Sequence, residues 1–245
     1  MQNEKISLIL PAYNEASIIE STIYTTLSYL DRNFSDYELI IADDGSTDKT
    51  RALVKTIETE NQHLHSVSYT PNKGKGAAVR AGVMSARGNI IIYTDADLAY
   101  GLEAVGKLAE KLVTAGTDAA IGSRKLHPDG YKDYPPIRLL ASRVFSFLTG
   151  ILAGFHYDTQ CGLKAFKATA AHKIFSSCET DGFAFDFEVM MLAEKFGISV
   201  AQLPVTIVNH RESKVRMLRD SIKMFADIIK IRRSVSKRVK DEGTK

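Results

Sequence analysis

The sequence predicts an α/β protein with a mostly parallel central sheet flanked by helices. Three observations predict it. Short apolar runs alternate with helix-period segments through the first half of the chain, at a spacing of about 25 residues. Each run ends in a polar cluster: Pro11–Glu15, Asp43–Asp48, Asn72–Gly76 and Asp95–Asp97. The composition, 44% hydrophobic and 25% charged over 245 residues, is that of a chain able to bury one large α/β core. In a parallel sheet ligands bind beyond the carboxyl ends of the strands, so the four clusters are expected to converge on one crevice.

Taken in order, Lys5–Leu10 reads as a strand closed by Pro11. Asn14 is placed to cap a helix whose apolar face carries Ile18, Ile19, Ile23 and Leu27. Tyr37–Ala42 is the second strand, and the polar turn after it runs into a helix over Lys49–Glu60. Leu64–Tyr69 is a more polar third strand, followed by the loop Pro71–Gly76 and a small-residue helix, Ala77–Ala86. Asn89–Thr94 is the fourth, buried strand. The second half is less regular. It reads as a helix over Leu102–Thr114, a short strand over Ala119–Gly122 and an apolar helical stretch over Ile137–Phe155. A strand or hairpin over Tyr157–Phe166, an amphipathic helix over Asp186–Phe196 and a strand over Ser199–Val208 come next, and a basic amphipathic helix over Val215–Arg238 closes the chain. One domain, residues 1–212, with a basic helix and tail, residues 213–245, is the simplest organisation.

The fourth strand delivers the most informative residues. Asp95 and Asp97 are separated by one residue, which puts both carboxylates on one face of an extended segment. Two such carboxylates repel unless a positive charge lies between them. A divalent cation carrying a phosphate ester suits that place, because hard cations prefer oxygen ligands; turn or cap aspartates are the bland alternative.

Other chemistries are disfavoured. No G-x-G-x-x-G follows the first strand and no G-x-x-x-x-G-K-[ST] is present. Ser46 lacks a nucleophile context, and none of the six histidines forms a recognisable nucleophile pair. Cys161 and Cys178 have no metal-ligand spacing and suit a reducing compartment or simple burial. A net charge of +3 is too small to imply nucleic acid, and no nucleic-acid partner is expected. The first residues do not form a secretory signal, and no apolar run approaches the ~20 residues of a spanning helix.

Four ordered motifs, LPAYNE (Leu10 to Glu15), DDGS (Asp43 to Ser46), NKGKG (Asn72 to Gly76) and DAD (Asp95 to Asp97), resemble the inverting glycosyltransferases of family 2, which have the GT-A fold. DTQCGLK (Asp158 to Lys164), GFAFDFE (Gly182 to Glu188) and SKV (Ser213 to Val215) are similar to the dolichyl-phosphate glucose and mannose synthase branch. The resemblance implies that Pro11, Tyr13, Glu15 and Asp43 hold the nucleoside; Lys73 or Lys75 of the glycine turn is placed to neutralise phosphate, with solvated lysines as the bland alternative. The resemblance places Asp95 near ribose and diphosphate, and Asp97 on Mg²⁺ or Mn²⁺, with Asp95 shared with the metal. Mannose synthases of this type carry a Gln two residues beyond the second Asp; Ala99 stands there, which leaves the third ligand open and turns the expectation away from GDP-mannose.

The resemblance implies transfer of a hexose from a nucleotide sugar to a polyprenyl or dolichyl phosphate. UDP-glucose is the first donor expected, with GDP-mannose and UDP-N-acetylhexosamine as alternatives. A phosphate acceptor is already mostly a dianion near neutral pH and needs positioning cations rather than a base. Arg124 matches the family's acceptor-phosphate arginine; Arg138, Arg143 and Lys214 are further phosphate contacts. A hydroxyl acceptor needs a base instead, for which Asp186 and Glu188 are the candidates. A GT-A enzyme acting on such a hydroxyl is therefore the second hypothesis, and a non-catalytic nucleotide-sugar-binding protein the third. The basic C-terminal helix, and the apolar stretch over Ile137–Phe155, suggest peripheral attachment at the cytoplasmic face of a membrane.

Overall fold

The computed structural model describes residues 4–132, 150, 154–155, 157–209 and 227–238. Seven strands form one sheet in the order β3-β2-β1-β4-β6-β5-β7. They are β1 (Ile6–Ala12), β2 (Tyr37–Asp43), β3 (Leu64–Ser68), β4 (Ile90–Tyr93), β5 (Ala119–Ser123), β6 (Lys164–Lys167) and β7 (Val200–Pro204). The first four are parallel to one another, whereas β6 runs antiparallel to both β4 and β5. The mostly parallel sheet is thus as expected, with one reversed strand.

Strand alternation divides the core into two layers. Ile6, Leu8 and Leu10 of β1 and Ile90 and Ile92 of β4 face α1 (Ile19–Asn33), α2 (Thr50–Glu60) and α4 (Leu102–Thr114). Ile9, Ile91 and Tyr93 face the other way, onto α3 (Lys75–Ser85), α5 (Ala168–Ser176) and α6 (Phe185–Lys195). Residues 227–238, helix α7 here, add Ile228, Ile231 and Val235 to that second layer. Tyr93 anchors an aromatic cluster there, with ring centroids 6.2 Å from Phe166, 6.1 Å from Phe175 and 5.9 Å from Phe185.

Several boundaries differ from expectation. β1 continues through Pro11 to Ala12. Its pairing with β4 ends at Ile9 and Tyr93, so the missing Pro11 N–H interrupts no bond on that side. Asn14 does not cap α1, which starts at Ile19 without a side-chain cap. Its side chain is engaged elsewhere, as described below. Of Tyr157–Phe166 only the end is strand, and α5 was not foreseen. Its buried Ala170, Ala171, Ile174 and Phe175 make a stripe too short to stand out as a period. β7 stops at Pro204, a residue an edge strand tolerates. Most of the helical stretch expected over Ile137–Phe155 and the start of the C-terminal helix lie outside the described residues.

Candidate active site

β1 and β4 lie side by side at the centre of the parallel half, while α1, which leaves β1, and α3, which leads into β4, lie on opposite faces. That is the topological switch point of the sheet, where a crevice opens at the strand ends. All four polar clusters reach this edge.

Two of them are stitched into one wall. Asn14 adopts φ 53°, a left-handed conformation that Asn tolerates better than most residues. Its Oδ1 accepts hydrogen bonds from Thr47 N (2.9 Å) and Asp48 N (3.3 Å), and its own N–H donates to Ser46 Oγ (2.9 Å). Glu15 N donates to Thr50 Oγ1 at 2.8 Å. Asp43 is buried at the end of β2 and accepts from Arg51 Nε at 3.0 Å and Ser46 N at 3.1 Å. Asp44 welds this wall to the third cluster: it accepts from Tyr69 Oη, Asn72 Nδ2, Lys73 N and Gly74 N, all at 2.7–3.1 Å. Asp44 is therefore structural; beside it lie buried Asp43 and the exposed ring of Tyr13.

The glycines of NKGKG have a packing explanation. A Cβ on Gly76 would lie 2.4 Å from Thr180 O, and one on Gly74 2.5 Å from Asp181 O. Both backbones press against the 180–181 segment, and Asp181 O accepts from Gly76 N (2.7 Å) and Ala77 N (3.2 Å). This fixes the start of α3 and aims Lys75 at the fourth cluster, where it forms an ion pair with Asp95. Lys73 points elsewhere, its ammonium 5.2 Å from the Tyr69 ring centroid. Of the two lysines, Lys75 and not Lys73 meets the acidic pair. Burial pulls the Lys75 pKa down, but Asp95, then Asp186 and Asp97, more than offset this and raise it, so the ammonium stays charged.

The acidic turn is tightly determined. Leu98 N donates to Asp95 O at 2.9 Å and Ala99 N to Asp97 Oδ1 at 3.1 Å. Leu98 itself has φ 52°, a costly conformation for a branched, bulky residue. It is held from outside by Asn209 Nδ2, which donates to Leu98 O at 2.8 Å, and by Val208 N, which donates to Ala99 O at 2.8 Å. No group of three or more His, Cys, Asp or Glu residues able to hold a metal occurs among the described residues. The donor set is thus two carboxylates. That suits Mg²⁺ or Mn²⁺ bound by one or two protein carboxylates together with substrate phosphates and water.

Behind the turn lies a buried charged layer. Lys164, fully buried at the start of β6, donates to Asp186 Oδ1 (2.5 Å), Cys161 O (2.7 Å) and Thr159 O (3.1 Å). Tyr93 Oη donates to the same Asp186 oxygen at 2.8 Å. Arg124, just after β5, closes on Asp158: its backbone N–H, Nε and Nη2 donate at 3.0, 2.9 and 2.8 Å. Burial would raise the Asp158 pKa, but the Arg124 hydrogen bonds and charge hold it below the usual carboxylate range. The fork that the resemblance assigns to acceptor phosphate is engaged by a carboxylate.

Glu188 requires a correction. It is buried and accepts from Thr180 N (2.7 Å), Glu179 N (3.1 Å), Cys178 Sγ (3.2 Å) and Arg238 of α7. With every direction filled it ties α6 to α7 and is no candidate base. Asp186 lies near Lys75 but is committed to Lys164 and Tyr93. Arg138, Arg143 and Lys214 lie outside the described residues. Lys164, Leu98 and Asn209 had no role in the sequence reading; only the exposed-looking polar types, not their partners, are visible there.

A parallel sheet with an acidic pair at its switch point, and without a phosphate-binding glycine loop after β1, defines a nucleotide-sugar transferase of the GT-A type. The description Glycosyl transferase family 2 matches residues 7–175, and the chain belongs to that family. It is a glycosyltransferase. The chain is 33% identical over 248 residues to a dolichyl-phosphate beta-glucosyltransferase of Saccharomyces cerevisiae, covering 93% of this chain and 74% of that protein. It is 31% identical over 229 residues to glycosyltransferase AglD of Haloferax volcanii, covering 92% of this chain but only 36% of AglD, about a third of its length. Among solved structures, glucosyl-3-phosphoglycerate synthase of Mycobacterium tuberculosis in complex with UDP superposes with a TM-score of 0.69 at 20% identity, over 94% of this chain and 80% of that one. That likeness establishes the fold.

Proposed function

We propose that the protein transfers glucose from UDP-glucose to a dolichyl or other polyprenyl phosphate, giving a lipid-phosphate sugar. The observation that carries this reading is the state of the two candidate bases. Glu188 is buried and filled by donors, and Asp186 is buried with its Oδ1 held by Lys164 and Tyr93, so both candidate bases are engaged by the protein, whereas a phosphate acceptor needs no base. The names of the relatives agree. The dolichyl-phosphate beta-glucosyltransferase of Homo sapiens is 30% identical over 249 residues, 94% of this chain and 75% of that protein.

In this reading Pro11, Tyr13, Glu15 and Asp43 receive the nucleoside. Asp95 and Asp97 hold a divalent cation at the diphosphate. Such a cation, when bound, stabilises the negative charge that develops on the departing diphosphate. Mn²⁺ accompanies UDP in one solved relative of the same fold. Lys75, paired with Asp95, faces the same place and would add a second positive charge beside the diphosphate. Arg124 fixes the Asp158 loop at the acceptor side, and Arg138, Arg143 and Lys214 remain the cations proposed for the acceptor phosphate.

In this reading the enzyme works at a membrane surface, and the cytoplasmic face is the one we propose. Among the described residues no helix is long and apolar enough to cross one. Helix α7 supports an electrostatic contact. Lys230, Arg233 and Lys237 are exposed at helical spacing, while Ile228, Ile231 and Val235 on the other side are buried in the protein.

The donor is tested by incubating the protein with Mn²⁺, dolichyl phosphate and labelled UDP-glucose, GDP-mannose or UDP-N-acetylglucosamine in turn, then extracting lipid. Label enters the organic phase from UDP-glucose above the others; preferential labelling from GDP-mannose or UDP-N-acetylglucosamine would overturn the donor assignment.

A further inference from the structure

We propose that Lys164 is a positioning residue for this reaction, acting on the cation-binding carboxylate Asp95 through the loop that precedes it. Lys164 is fully buried and cannot touch substrate. Its ammonium has three donors and meets three acceptors: the carbonyls of Thr159 and Cys161 and the Asp186 carboxylate. The two carbonyls belong to one short turn, closed by Cys161 N donating to Asp158 O at 3.1 Å. Gly162 follows immediately, and its backbone is the wall behind Asp95. A Cβ at Gly162 would lie 2.4 Å from Asp95 Oδ2 and 3.4 Å from Lys75 Nζ. The ammonium therefore sets how far this wall advances on the carboxylate. Its third bond fixes Asp186, the next carboxylate after Asp95 to act on Lys75.

An uncharged polar side chain could not do the same. Lys164 lies in a central antiparallel strand, paired with Tyr93 on one side and Ile121 on the other, and is surrounded by the Tyr93 ring, whose centroid is 5.5 Å from Nζ. Only a long cation reaches from there to both carbonyls and the carboxylate. Groups that orient a metal ligand from behind are worth about 10- to 100-fold in metal affinity or activity.

The inference rests on the reading of Asp95 and Asp97 as the cation end of the donor site, and the test separates the two. UDP binding is measured by calorimetry with and without Mn²⁺ on the wild type, Lys164→Met, Gly162→Ala and the double variant. Wild-type binding that ignores Mn²⁺ would overturn the donor-site reading, and the inference with it. With that dependence present, Lys164→Met should raise the Mn²⁺ concentration for half-maximal UDP binding about 10- to 100-fold, with Mn²⁺-free binding unchanged. Gly162→Ala leaves Lys164 intact and should produce a shift in the same direction. The effects of the two should be less than additive, because both act on one carboxylate. A purely structural Lys164 would lower the melting temperature or the active fraction while the surviving protein kept wild-type Mn²⁺ dependence. That result overturns the inference. If Lys164→Met does not fold, unchanged Mn²⁺ dependence in Gly162→Ala does so alone.

Discussion

Asp97 is the residue whose loss should be simplest to read. Its loss removes the bond from Ala99 N, but the turn is still held by Leu98 N on Asp95 O, Asn209 on Leu98 O and Val208 on Ala99 O, so the backbone stays supported from outside. Asp97→Ala should abolish transfer and remove the effect of Mn²⁺ on UDP binding, measured by lipid extraction and calorimetry; a fully active variant would refute the cation assignment. Asp158 and Glu188 carry the pH dependence of stability. Burial opposes both charges, but Arg124 holds the Asp158 pKa, and Arg238 and Thr180 the Glu188 pKa, below the ordinary range. A folded pKa below the unfolded one contributes stability that is complete above the unfolded values, about 3.9 and 4.3, and is lost as pH falls through the folded ones. Urea midpoints should therefore drop between pH 6 and pH 3, and Asp158→Asn should flatten that slope at the cost of stability at pH 6. At this scale the acidic pair, the DDGS turn and the NKGKG turn were legible in the sequence. The burial of Lys164 and the filling of Glu188 were not, because a charged residue reads as exposed until its partners are known, and those partners lie on other elements.

Helix α6 shows what the element adds. Every residue from Phe185 to Ala193 is buried, so the apolar period that marks a surface helix is absent and its charges point inward. Asp186 meets β4 and β6; Glu188 meets α7. Arg238→Ala would leave Glu188 buried without its cation. We expect a loss of about 2–3 kcal/mol, less than for a fully enclosed pair because Arg238 is one-fifth exposed, read from urea denaturation. A loss within error would mean that α7 is not docked in solution. Helix α4 formed where its periodicity placed it, since only one of its faces is covered. Helix α5 escaped notice because it is short, and β1 outran Pro11 because β4 had already ended.

Among the described residues the strand ends share one face, and α7 carries an exposed basic stripe. The fold class followed from the order of runs and turns, since a parallel half with helices on both faces has few ways to close. The reversal of β6 was not visible, because its direction depends on the loop that reaches it rather than on its own residues. On the basic stripe, the apolar side of α7 faces the protein, so membrane attachment through it should be electrostatic. Binding to vesicles containing phosphatidylserine should fall steeply with added salt and in Lys230→Glu/Arg233→Glu/Lys237→Glu, as measured by sedimentation; salt-insensitive binding to neutral vesicles would favour insertion of an apolar segment. The central claim is that the acceptor is a phosphate needing no base. It is tested most directly by comparing dolichyl phosphate with dolichol as acceptors for labelled UDP-glucose in the presence of Mn²⁺. Label should enter the lipid phase with dolichyl phosphate and stay at background with dolichol, whereas transfer to dolichol at a comparable rate would contradict the account.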